Sequence, residues 1–373
     1  MTVLHLVPAL FGAGDGLVGG AERYVFELAR HMADLVPTRL VTFGARARDE
    51  RVGQLSVRVI GNPWLVRGQR SNPFAFAMLN EVRRADIIHC HQQHVLSSSA
   101  AALTAVALGR RVYCTDLGGG GWDISSYVST DRLYDGHLHI SQYSRMIAGH
   151  GARSRAHVIL GGVDSHKFSP ADDRAADLRG RPVLFAGRLL PHKGVDTLIR
   201  ALPAHMQAEI VGPAPDARYL ADLQALAVGK QITFRHDCDD AELVDAYRWA
   251  SCIVLPSVYR DMYGAETRVP ELLGQTLLEG MACGLPAVCS SVASLPEIVD
   301  NGVTGLVVPP NDPASLGHAL RWLDGHSERA CAMGQAARAT VMSKFSWPAV
   351  VQRCLDVYAL ALDKRAITVI ATR

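Results

Sequence analysis

The sequence predicts an α/β protein of two domains, and three observations carry that expectation. The chain has 373 residues and is 49% apolar, so it can bury more than one core. Short apolar runs of strand length alternate with helical stretches along the whole chain, as in α/β folds. Glycine-rich turns follow several of these runs, at 12–20, 118–121 and 187–194.

The apolar run from Val3 to Pro8 is a first strand. No basic segment precedes it and it breaks at Gly12, so it does not read as a signal peptide. Gly14, Gly16 and Gly19 form a literal GxGxxG between this strand and a helix from Ala21 to about Met32. That is a dinucleotide candidate. After the next strand, Arg39 to Phe43, Arg46 and Arg48 would suit a 2′-phosphate, which keeps an NADP-dependent oxidoreductase as an alternative. Asn62 to Pro73 is a loop carrying Trp64, Arg67 and Arg70. It reads as a solvated connection, or as an acceptor or membrane patch, and Phe74 to Arg84 reads as a helix. The strand at 85–90 runs into His91, and alternation puts His89 and His91 on one face at its end. His89, His91 and His94 could together ligate a metal, but no paired carboxylate or cysteine accompanies them. Arg111 to Thr115 is a strand, and Gly118 to Gly121 after it let the backbone approach a ligand closely.

The charged run Ala171 to Arg179 is a linker. Beyond it come a strand (182–186), the loop 187–194, a helix (Val195 to Leu202) and strands at 207–211 and 231–234. Asp237-x-Asp239 is a literal DxD, but Asp239 or Asp240 is an ordinary N-cap for a helix from Ala241 to Trp249. After the strand Cys252 to Leu255, the stretch Pro270 to Pro286 holds Glu271 and Glu279. Glu279 lies in an apolar helical run, Thr276 to Cys283. Glu271 and Gly274 fall in the loop before it, where backbone N–H groups and the positive helix end suit a ligand with hydroxyls and a diphosphate. A last helix, Trp347 to Leu362, puts Trp347, Val350, Val351, Cys354, Leu355 and Tyr358 on one face.

Net charge is +2, too small to argue for nucleic acid. Residues 1–170 carry 18 Lys and Arg against 13 Asp and Glu, a net of +5, which leaves an acidic acceptor or an anionic membrane surface open. The eight cysteines show no CxxC pair and several sit in apolar runs, as in a reduced, cytoplasmic protein. No apolar run approaches the roughly 20 residues of a membrane helix.

The Glu271–Glu279 stretch resembles the Glu-x7-Glu signature of family 4 of the retaining glycosyltransferases. Other family blocks stand in family order: Gly19-Gly20-Ala21-Glu22, the strand ending His-x-His, His137 to Ser141, Gly162-Val163-Asp164 with Phe168-Ser169-Pro170, Gly187-Arg188 with Lys193-Gly194, Leu255-Pro256-Ser257, and Ser294 to Pro310. The resemblance implies the GT-B architecture: two Rossmann-like domains facing an interdomain cleft. Residues 1–170 would bind the acceptor and 171–345 the nucleotide sugar, and the helix in 346–373 would cross back to the first domain. It implies catalytic roles for His91, Arg188, Lys193 and Glu271, with His91 near the 6-position of the donor sugar. Donor contacts would come from Gly19, Gly20, Gly187, Arg188, Lys193, Glu271, Leu273, Gly274, Gln275, Thr276 and Glu279, the last holding the ribose. The chain departs from the family in two places. The glycine-rich loop makes Gly119, Gly120, Trp122 and Asp123 acceptor-side candidates, and 258–269 is an insertion between Pro-Ser and Glu271. The implied reaction is transfer from a UDP- or GDP-sugar to a glycan, glycolipid or small natural product, with no metal and no other cofactor required. A non-catalytic sugar-nucleotide-binding homologue is the other alternative.

Overall fold

The computed structural model describes residues 1–10, 20–118, 122–123, 125, 127–151, 155–171 and 178–371, with the backbone alone from 361. The chain forms two compact units. One is Met1–Gly162 with Trp347–Arg373, and the other is Val163–Ser346. The sequence placed the first boundary at 170; the chain leaves the first unit at Gly162. The predicted linker lies mostly outside the described residues.

The first unit is built on an eight-stranded sheet. In spatial order the strands are Ala156–Val158, Gly136–His139, Arg111–Cys114, Ile87–Cys90, Val3–Leu10, Thr38–Gly44, Leu55–Gly61 and Arg48–Val52. The first seven run parallel; Arg48–Val52 pairs antiparallel at the edge. Val3–Leu10 reads as a continuous apolar run because it lies inside the sheet, with Val3, Leu4, Leu6 and Val7 buried. The edge strand, Arg48-Asp49-Glu50-Arg51-Val52, is charged and largely exposed, which discourages further pairing. The predicted helix at 74–84 is shorter in the structure, Met78–Val82. Pro73–Phe74 instead pairs with Trp64–Leu65 as a small ribbon, which buries the Phe74 ring.

The last helix, Trp347–Ala371, packs on this same unit. Trp347, Val350, Val351, Cys354 and Tyr358 are buried. Arg353 Nε donates to the Ile159 carbonyl at 2.7 Å and Tyr113 Oη to that of Val357 at 3.3 Å. Gly162 is required at the crossing, because a Cβ there would stand 2.4 Å from the Trp347 ring.

The second unit holds a six-stranded parallel sheet. Numbered by sequence within the unit, its strands run 3-2-1-4-5-6: Gln231–Arg235, Gln207–Val211, Val183–Ala186, Cys252–Leu255, Ala287–Ser290 and Gly305–Val308. This is the Rossmann order, whose ligands bind where the order reverses, beyond the carboxyl ends of strands one and four. The insertion at 258–269 folds back on itself. Thr267 N donates to the Tyr259 carbonyl at 2.7 Å, and Arg260 pairs with Glu266 at 2.7 Å. Tyr263 anchors it by donating to Asp222. The eight cysteines are free thiols, six of them buried.

Candidate active site

In the second unit the strand Val183–Ala186 ends at Gly187 and Arg188, and a short turn, Pro191–Lys193, follows. Gly194 closes the turn at φ 67°, and a Cβ there would fall 2.0 Å from the Pro256 carbonyl oxygen. Only glycine allows this approach. Val258 N then donates to the His192 carbonyl at 2.8 Å. The loops after strands one and four are thus locked together at the switch point.

This lock brings Lys193 to Glu271. Lys193 Nζ donates to Glu271 Oε1 at 2.5 Å, and Ser257 Oγ donates to the same oxygen at 2.7 Å. Ser290 Oγ in turn donates to the Ser257 carbonyl. Glu271 Oε2 takes no hydrogen bond among the described residues. Gly274 caps the helix Gln275–Ala282 at φ 87°, where a Cβ would stand 2.7 Å from Leu295 Cδ2. One turn into the helix, Glu279 Oε2 accepts from Tyr247 Oη at 2.8 Å. Burial, then the Glu279 carboxylate, push the Tyr247 phenol well above its ordinary value, so it stays a proton donor. Glu271 and Glu279 are each 7% exposed, so they are not a solvated pair. Leu273 is buried, and Gln275 and Thr276 open the helix. Arg188 is exposed, with no hydrogen bond or ion pair from its side chain among the described residues.

The first unit has its own switch point, between Val3–Leu10 and Ile87–Cys90. There His91 meets His5, which the sequence reading passed over. His5 Nδ1 lies 2.8 Å from His91 Nε2, and His5 Nε2 lies 3.3 Å from Met32 Sδ. His89 contacts Thr115 Oγ1 at 2.7 Å through Nε2 and Tyr358 Oη at 2.8 Å through Nδ1. His94 is not in this group; its Nδ1 meets Ser125 Oγ at 3.0 Å. Burial holds His5 down to about 3 and His89 and His91 well below the ordinary imidazole value, so all three are neutral. Their nitrogens hydrogen-bond one another, Thr115, Tyr358 and Met32, and one nitrogen from each ring lies within 4.8 Å of those of the other two, a spacing that could also hold a metal ion. His91 Nδ1 is buried without a partner among the described residues.

Asp123 is buried; its Oδ1 accepts from Ser125 N at 2.8 Å and from Ser125 Oγ. Its Oδ2 is buried with no partner among the described residues. Beside it the Arg67 guanidinium stacks 3.3 Å above the Trp122 ring, so Arg67 of the predicted loop does reach an acceptor-side candidate. Gly20 opens the first helix, where a Cβ would meet nothing within 4 Å. Gly14, Gly16, Gly19, Gly119 and Gly120 lie outside the described residues. Asp239 caps the helix Asp240–Trp249 in a capping box with Glu242, as expected for a cap.

Sequence comparison adds the family to this geometry. Residues 18–167 match Glycosyltransferase Family 4, and residues 172–340 match Glycosyl transferases group 1. The chain belongs to glycosyltransferase family 4. This glycosyltransferase is 29% identical to D-inositol 3-phosphate glycosyltransferase 1 of Catenulispora acidiphila, over 97% of this chain and 96% of that one. It is 34% identical to a GDP-mannose-dependent α-(1-6)-phosphatidylinositol monomannoside mannosyltransferase of Mycolicibacterium smegmatis, over 56% of this chain and 58% of that one. Among solved structures it is similar to Anabaena HepE in complex with UDP and glucose, with TM-score 0.68 and 17% identity over 96% of this chain and 99% of that one. Sucrose-phosphate synthase from Thermosynechococcus elongatus gives TM-score 0.68 and 20% identity over 97% and 99%. The shared fold is GT-B, two Rossmann-like α/β domains. The oxidoreductase alternative falls with these matches.

Ser257, Tyr247 and His5 are the site residues that the sequence reading did not single out. Ser257 stands in the Pro-Ser block, and that was its signal. Tyr247 and His5 had none beyond a polar atom inside an apolar element.

Among the described residues no helix is long and apolar enough to cross a membrane.

Proposed function

We propose that this glycosyltransferase moves a hexose from a UDP- or GDP-sugar to an acceptor hydroxyl with retention at the anomeric carbon, and that the second unit holds the donor. The observation that carries this reading is the Lys193–Glu271 contact at the switch point of the six-stranded sheet, at 2.5 Å. A Rossmann switch point takes the diphosphate of a nucleotide at its loops. Lys193 is already placed there, and exposed Arg188 is the second cation. Glu271 has one oxygen held by Lys193 and Ser257, which leaves Oε2 for hydroxyls of the sugar. Glu279, held by Tyr247, takes the ribose. Leu273, Gly274, Gln275 and Thr276 offer backbone at the helix start.

The step is a front-face displacement. The bond from the anomeric carbon to the diphosphate oxygen breaks, the acceptor oxygen bonds to that carbon on the same face, and the acceptor proton passes to the departing phosphate oxygen. Arg188 and Lys193 stabilise the charge growing on that phosphate, so the reaction runs without a metal. The acceptor, a glycan, glycolipid or small natural product, belongs to the first unit, where Trp122 and Asp123 stand. A thermal-shift screen of UDP-, GDP- and ADP-sugars against NADP tests donor class. Turnover in chelator then tests metal independence. Stabilisation by NADP alone would overturn the donor reading, and activity lost in chelator and restored by manganese would overturn the metal-free step.

A further inference from the structure

A second histidine cluster lies wholly within the first unit, built from Asp131, His137, His139 and His150. Asp131 opens a short turn, Asp131–Leu133, and His137 and His139 lie on the strand Gly136–His139. Alternation along the strand puts these two histidines on one face. The Ser141 capping box starts the helix Gln142–Ile147 directly after the strand, and His150 follows that helix. The chain thereby returns His150 to the strand. Its ring centroid lies 4.0 Å from that of His137 and 5.2 Å from that of His139, and all three rings are buried.

We propose that Asp131, His137 and His150 form a binding site for one zinc ion, with His139 and Gln93 orienting its ligands. The distances carry the proposal. Asp131 Oδ1 lies 3.9 Å from His137 Nε2, and Asp131 Oδ2 lies 3.8 Å from His150 Nε2. Both are too long for hydrogen bonds. Yet one ligand atom from each of the three residues lies within 4.8 Å of the other two. A tetrahedral zinc ion bonded to nitrogen and oxygen holds its ligand atoms roughly 3.3 to 3.6 Å apart. Small rotations of the side chains reach that spacing. Two imidazoles and a carboxylate are a zinc donor set, and three protein ligands leave the fourth position to water.

The surroundings suit ligands held in place. A metal-bound imidazole gives its other N–H to an acceptor, which fixes the ring. His150 Nδ1 lies 3.1 Å from His139 Nε2. With the His150 proton on Nδ1, His139 Nε2 accepts it, and the His150 Nε2 lone pair turns towards Asp131. Gln93 Nε2 donates to Asp131 Oδ1 at 2.9 Å, which orients the carboxylate. The segment between the strand Arg111–Cys114 and Asp131 carries Trp122 and Asp123. Zinc at Asp131 pins one end of that segment to the sheet. Its role is structural and separate from the proposed transfer step.

The test uses the full chain, stripped of metal with a chelator, dialysed and titrated with zinc chloride by calorimetry. Melting temperature is read with and without zinc. Wild type should take one ion per chain and melt higher with it. Asp131→Asn keeps the side chain's size and an oxygen for Gln93, but should weaken zinc binding by about 100-fold or more, beyond the effect of an outer partner. His139→Leu removes only an outer partner and should weaken it about 10- to 100-fold. His91→Gln reports on the other histidine cluster and should bind zinc as wild type does. Cobalt(II) in place of zinc gives a visible spectrum set by its ligands. That spectrum should change in Asp131→Asn and not in His91→Gln. No uptake by wild type at micromolar zinc would overturn the proposal. So would a folded Asp131→Asn protein with wild-type affinity and spectrum. Loss of the ion in His91→Gln alone would place it at His5, His89 and His91 and overturn the proposal too.

Discussion

At the switch point of the second unit, the strand ends deliver a lysine and a carboxylate in direct contact, Lys193 and Glu271, with one carboxylate oxygen still open. At the switch point of the first, His5, His89 and His91 come together, neutral, with one hydrogen bond between His5 and His91 and the others to Met32, Thr115 and Tyr358. Both sheets present side chains beyond the same topological break, yet one break keeps its charge and the other has none. The difference follows from neighbours. Lys193 and Glu271 each offset the other's charge as they leave water. The histidines pack on Met32, Thr115 and Tyr358, which can bond a neutral ring but cannot balance a charged one. The proposed donor reading assigns the diphosphate to the charged break.

The largest way to break the contrast is to discharge the second unit. Lys193→Ala should lower the single-turnover rate by about 10² to 10³, because the charge it meets grows only as the bond breaks. Affinity for the free nucleoside diphosphate should change much less, and calorimetry beside the kinetics checks this. Equal losses in rate and affinity would make Lys193 a uniform binding residue.

Gly274→Ala attacks the scaffold of the same site without touching its charge. Position 274 sits at φ 87°, and a Cβ there would press on Leu295 at 2.7 Å. We expect a loss of about 1 to 3 kcal/mol of stability, read by denaturant unfolding.

Acid should act on the first unit through its histidines. His5 is held to about 3, and His89 and His91 are also depressed, while in the unfolded chain they return towards 6.5. Between these values the unfolded state binds more protons, so stability rises with pH across that window. It is fully present above about 6.5 and is lost on acidification towards 3. The slope is up to about 1.4 kcal/mol per pH unit for each such ring. Unfolding curves from pH 7 to 4 should show it, and His5→Asn should make it shallower. An unchanged slope in that variant would show that His5 is not neutral by burial.

The smallest expected effect is Tyr247→Phe. It removes one neutral donor from Glu279 and should weaken nucleotide binding by about 0.5 to 1.5 kcal/mol, measured by calorimetry.

Much of this was legible in the sequence because the patterns are local. Val183–Ala186 and Cys252–Leu255 are apolar runs of strand length, and Glu271, Gly274 and Glu279 lie within one loop and helix. What was not legible depends on partners far apart in the chain. His5 looks like a core residue in an apolar strand until His91, 86 positions on, is folded against it. Tyr247 lies on a correctly expected helix, yet nothing nearby points to Glu279, 32 positions on. The hairpin at 48–61 was missed because its edge strand is charged and shows no apolar alternation. The helix expected at 74–84 failed at its start, where Pro73 and Phe74 pair as a strand.

The central claim is that the second unit's switch point binds the nucleotide of the donor. Calorimetric titration of UDP and GDP into wild type and Glu279→Ala tests it most directly. Loss of the charge-assisted contact to the ribose should weaken binding by about 1.5 to 3 kcal/mol, roughly 10- to 150-fold, for the nucleotide that wild type prefers. Equal affinity in the folded variant and the wild type would contradict the claim.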